Sequence, residues 1–212
     1  MLGAGLLVAA VGVESVALSH YSAHAVPRDF GSVASSAATP PGPTSTSSLP
    51  APGIVPVQDA GSPAAPVRIT IPSLHVSAPL MKVELDAVSS LVVPQDPHVV
   101  GWWQASALAG SQIGTTVLDG HVDTAEQGPG TLFHLQDLPA GATIVLRAAN
   151  GHYYTYRVTT RRVLKKSTGL SARLFSPTAP GTLAVVTCGG PFDRATHHYL
   201  DNIVVLARPV AG

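Results

Sequence analysis

Two side chains have the type and setting for covalent chemistry: the single cysteine, Cys188, and His121. Cys188 follows the apolar run LAVVT at 183–187 and precedes Gly189 and Gly190. A thiol delivered by a strand end and followed by two glycines leaves room for a substrate backbone and frees N–H groups. Beside a base or a cation it is a nucleophile. Without one, a lone cysteine there is a small buried residue at the end of a strand. His121 closes a second run, TTVLDGH at 115–121, one residue beyond Gly120. Imidazole moves protons near neutral pH, although the same position suits a polar turn residue. Nine histidines are present, so number does not single this one out. Its placement at a strand end, matching that of Cys188, does.

Composition narrows the classes. The 212 residues hold twelve Lys+Arg and twelve Asp+Glu, a net charge of zero, so no basic surface announces nucleic acid. One cysteine excludes an internal disulfide scaffold and a multi-cysteine zinc site. Charged residues are 11% of the chain. The deficit lies mostly in the first 66 positions, where Glu14, Arg28, Asp29 and Asp59 are the only charges.

The elements that must position the pair follow a low-charge leader. Residues 1–18, MLGAGLLVAAVGVESVAL, are long and apolar enough for a membrane anchor, and also match the core of a secretion signal. No Lys or Arg precedes them. The reading is a single-pass anchor with the remainder outside the cell membrane, ahead of a cleaved signal. Positions 31–66 are dominated by Pro, Gly, Ser, Thr and Ala, a semi-extended spacer that buries too little to fold. From 67 to 212 the texture is short strand-like runs: 67–71, 75–85 interrupted by Pro79, 99–103, 115–121, 143–148, 153–158, 183–187 and 203–207. Asn150-Gly151 is the strongest hairpin signal. Only 130–138 and 169–175 have room for short helices. About eight strands spaced by turns predict an all-β closed barrel or sandwich, and the barrel is preferred.

The motifs VGWWQ (100–104), TTVLDGHVDT (115–124), PGTLFHLQDL (129–138), LAVVTCGGPFD (183–193) and HYLDNIVVLA (198–207) together resemble the sortase family. More narrowly they resemble its actinobacterial class E/F group, class F most. The resemblance runs from 67 to 209, and the leader and spacer suit it. It implies an eight-stranded sortase barrel and a cysteine transpeptidase or peptidase of a Gram-positive cell. In it Cys188 is the nucleophile, His121 the catalytic histidine, and Thr187, matching the threonine of a TLxTC signature, a substrate contact. It also implies an arginine near the entry to the final strand. There the sequence reads HHYLDN, with Leu200 at the anticipated position, and Arg194 is the nearest candidate. Implied partners are an LPxTG-like sorting signal of surface proteins and an amine of the cell envelope. No cofactor is implied.

Other patterns carry less. His121-x-Asp123 and His197-His198 with Asp201 are weak as metal ligands, and the reading is no metal. Arg161-Arg162 with Lys165-Lys166 reads as a solvated strand edge, and Trp102-Trp103 as core or interface anchors. The alternative function is a catalytically weakened barrel that binds a peptide or wall component without turnover.

Overall fold

The computed structural model describes residues 28–31, 61–87 and 90–210. The apolar stretch 1–18 and nearly all of the spacer lie outside the described residues. Among the described residues ten strands occur in chain order: β1 Pro66–Ile71, β2 Val76–Val83, β3 Val100–Trp103, β4 Thr115–Gly120, β5 Asp123–Thr124, β6 Gly128–Pro129, β7 Thr143–Ala148, β8 Tyr153–Lys165, β9 Thr182–Asp193 and β10 His198–Pro209. Eight of them close a barrel in the order β1-β2-β3-β4-β9-β10-β8-β7, while β5 and β6 form a small separate ribbon.

Alternation of side chains along each strand explains the closure. Ile69 and Ile71, Ile144 and Leu146, Tyr156 and Val158, Leu183 and Val185, and Ile203 and Val205 all enter one buried core. Register keeps them at common levels, with Ile69 opposite Leu146 and Val205 opposite Val185. Leu132, Leu135 and Leu138, from the connection after β6, complete the core. The Asn150-Gly151 signal is borne out: β7 pairs antiparallel with β8, and Gly151 takes φ +86°.

Two expectations need correction. Among the described residues there is no α-helix. The stretches 130–138 and 169–175 instead hold single 3-10 turns at Leu135–Asp137 and Ala172–Phe175, with others at Pro72–Leu74 and Lys166–Thr168. Each is too short to support a helical nucleus. The last three barrel strands are also far longer than the apolar runs suggest, because β9 and β10 continue past the core as a two-stranded arm and β8 extends with them.

That extension changes the reading of the basic cluster. Arg161 and Arg162 hold the segment 28–31 against β8. Phe30 bridges Arg161 through backbone bonds, and the Arg161 guanidinium lies 4.8 Å from the Phe30 ring centroid. Arg161 also donates to the carbonyls of Leu138 and Arg28, while Arg162 faces Asp29 at 3.8 Å. Among the described residues no helix is long and apolar enough to cross a membrane.

Candidate active site

β4 and β9 run parallel, with Thr115 opposite Thr182 through to Gly120 opposite Thr187. The last pair is locked by the Thr187 hydroxyl, which donates to the Gly120 carbonyl at 2.7 Å across 67 residues of sequence. His121 follows the end of β4 directly, and Cys188 is the next residue of β9. Neighbouring strands lie about 4.8 Å apart, so this lock starts both residues from one end of the β4–β9 pair. The loop carrying His121 is fixed in turn. Gly130 N–H donates to the Val122 carbonyl at 2.8 Å, and Tyr199 donates to the Asp123 carboxylate at 2.6 Å. A Cβ on Gly130 would lie 2.7 Å from the His121 carbonyl oxygen, which is why glycine stands there. Among the described residues no hydrogen bond joins His121 to Cys188.

Cys188 is half-buried, and it does not end its strand. β9 loses β4 after Thr187 but stays paired with β10, Cys188 facing Asn202. The two glycines after the thiol are not open ground for substrate. A Cβ on Gly189 would lie 2.5 Å from Ile203 Cγ1, and one on Gly190, at φ +73°, would lie 2.1 Å from Asp201 Oδ2. Both therefore serve the packing of β10 on β9. Register shifts here, with Gly190 and Pro191 spanned by Leu200 alone, the pattern of a β-bulge. Leu200 is 48% exposed.

The partner of the Cys188 thiol is a residue that the sequence had placed on a solvated edge. Lys166 Nζ lies 3.1 Å from Cys188 Sγ. Leu164, Asn202 and Cys188 form one row across β8, β10 and β9, and Lys166 is two residues beyond Leu164, so its side chain reaches along the same face. Beside this row opens a cleft of about 780 Å³, lined by Leu85, Leu91, Trp103, Phe175, Val186 and Leu170 as apolar walls, and by Asp119, Lys166, Asn202 and Ser90 as polar groups. Trp103 packs edge-on to Phe175 at 5.8 Å. Asp119 stands beside Val186, where burial pushes its carboxyl up to about 7, against the lowering effects of a Gly120 N–H bond and the Lys166 charge. It is partly buried, on the floor of the cleft.

The remaining predicted residues fall elsewhere. Thr187 is 1% exposed, its hydroxyl engaged within the wall rather than offered to the cleft. Arg194 is exposed in the turn between β9 and β10, six residues beyond Cys188. The Asp193 carboxylate that shapes this turn accepts from Ala195 N–H and the Thr196 hydroxyl, both at 2.9 Å, and these bonds hold it below the usual carboxylate range. Trp102 is buried in the core, as its reading anticipated, and Trp103 forms a cleft wall. Among the described residues, no three His, Cys, Asp or Glu side chains gather closely enough to hold a metal ion.

Comparison with known proteins converges on this architecture. Sortase C-1 from Actinomyces oris superposes with a TM-score of 0.51 at 21% identity, over 68% of this chain and 72% of that one. Sortase C1 from Streptococcus agalactiae gives 0.52 at 20% identity, over 68% and 67%. Sortase A from Corynebacterium diphtheriae gives 0.51 at 19%, over 70% of this chain and 62% of that one. No match is found among curated proteins. Identities this low speak for the fold alone. The sortase domain family matches residues 69–210, which is most of the chain and the whole of the barrel beyond the first strand's opening residues. With its single cysteine on the barrel rim, the chain therefore belongs to the sortase family of cysteine transpeptidases.

Proposed function

We propose that the chain is a class E/F sortase, held at the outer face of an actinobacterial cell membrane by residues 1–18. It cleaves an LPxTG-like C-terminal sorting signal and passes the acyl fragment to an amine of the cell envelope. The observation that supports this reading is the parallel lock between Gly120 and Thr187, the residues immediately before His121 and Cys188. The Cys188 thiol passes its proton to His121 and its sulfur attacks the peptide carbonyl carbon, while the carbonyl electron pair moves onto oxygen. Collapse of this intermediate expels the amine, which takes a proton from His121, and leaves a thioacyl enzyme. An envelope amine, or water, then releases the acyl group. The apolar cleft walls offer an environment for the hydrophobic residues of such a signal.

The test is mass spectrometry of the full chain after incubation with an LPxTG-type peptide. The wild type is expected to show a peptide cleaved after threonine and a thioacyl adduct. Both should be absent from Cys188→Ala, and the rate reduced by about 10²–10⁴ in His121→Ala. Cleavage that persists in Cys188→Ala would refute the reading. Reversible binding without cleavage, equal in wild type and Cys188→Ala, would establish the non-catalytic binding module instead.

A further inference from the structure

A transition state at Cys188 places growing negative charge on the substrate carbonyl oxygen, and such charge calls for a fixed donor or cation. The ammonium of Lys166, at 3.1 Å from the sulfur, is already there. Its backbone is fixed at the end of β8. Thr168 donates its hydroxyl to the Lys165 carbonyl at 2.8 Å, and Gly169 N–H donates to the Lys166 carbonyl at 3.0 Å. No salt bridge among the described residues ties Lys166 to a carboxylate. The two positions from which the sequence would draw an arginine do not supply this charge. Leu200 is apolar, and Arg194 is out in the β9–β10 turn.

We propose that Lys166 is the catalytic cation of this site, filling at Cys188 the place that the family resemblance gave to an arginine. This inference rests on the transpeptidase reading above. As the sulfur–carbon bond forms, the carbonyl electron pair moves onto oxygen, and the Lys166 ammonium binds that oxyanion without giving up its proton. When the carbon–oxygen double bond re-forms and the amine departs, Lys166 releases the oxygen. Asp119 is the other charged group lining the cleft. Burial favours its neutral form below about 7, so there it does not cancel the Lys166 charge.

The experiment needs no substrate. Cys188 of the full chain is alkylated with iodoacetate and with iodoacetamide, and the ratio of the two rates is taken. Both reagents consume the same thiolate, so the ratio reports only the charge beside the sulfur. Lys166→Met is expected to lower the ratio about fivefold, the effect of one unit charge at roughly 4 Å in a water-like medium. Lys166→Arg should keep the wild-type ratio, Arg194→Met should leave it unchanged, and 1 M salt should close the gap. The Lys166 side chain is exposed, so these variants keep the fold. An unchanged ratio in Lys166→Met, or a loss in Arg194→Met alone, overturns the proposal whether or not any peptide is cleaved. Where the wild type cleaves peptide, Lys166→Met should lose about 10²–10³ in kcat/KM, and Lys166→Arg should recover most of it. Undiminished cleavage by Lys166→Met overturns the catalytic role.

Discussion

At Asp119 the cleft floor takes a carboxyl group out of water, and the group answers by holding its proton up to about 7. The folded chain thus binds this proton more tightly than the unfolded chain, whose carboxyl has an ordinary pKa of 3.8. Stability attributable to this site is therefore highest below about 4, falls as pH rises, and is lowest above about 7. Asp119→Asn is expected to be more stable than wild type at pH 8, by on the order of 1–3 kcal/mol once water in the cleft is allowed for. The two should match at pH 4. Urea unfolding at both pH values checks this. Asp119 and Lys166 were illegible in the sequence, whereas Cys188 and His121 were not. A thiol and an imidazole announce their chemistry by type. A lysine next to another lysine announces only charge, and its approach to Cys188 depends on three strands being laid side by side in one register.

The strands themselves were largely legible where a two-residue period faces the core. β1 and β7 match the apolar runs at 67–71 and 143–148 almost residue for residue. The arm formed by β9 and β10 was not, because outside the core no apolar alternation marks it. There Gly189, Gly190 and Pro191 read as a break, yet the strand runs through them. Gly190 explains how. Its φ of +73° bends the bulge, and its bare Cα admits the Asp201 carboxyl. Gly190→Ala is expected to cost on the order of 2–4 kcal/mol, from the strained backbone together with displacement of a buried carboxylate. Thermal melts would show it. Substitution at Gly151, equally left-handed but with nothing within 4 Å of a Cβ, should cost only the backbone part, about 1 kcal/mol.

For the molecule as a whole, the segment 28–31 is part of the fold, although a sequence rich in small residues follows it directly. Arg161 holds it through the ring of Phe30 and the carbonyl of Arg28, and is itself tied to the barrel by the carbonyl of Leu138. Arg161→Ala is expected to lower stability by about 1–3 kcal/mol and to hasten proteolytic cleavage near Phe30, read by mass spectrometry of a timed digest. Sequence reasoning treated this arginine as edge charge because Arg28 and Phe30 lie more than a hundred positions away. The order of the wall also governs when the enzyme can exist. β10, the latest strand in the chain, sits between β9 and β8, and it supplies Asn202 opposite Cys188. A ribosome delivers this protein N-terminus first, so the ring stays open and Cys188 lacks its Asn202 partner until β10 has been made. The winding of the sheet thereby couples assembly of the surroundings of Cys188 to closure of the barrel.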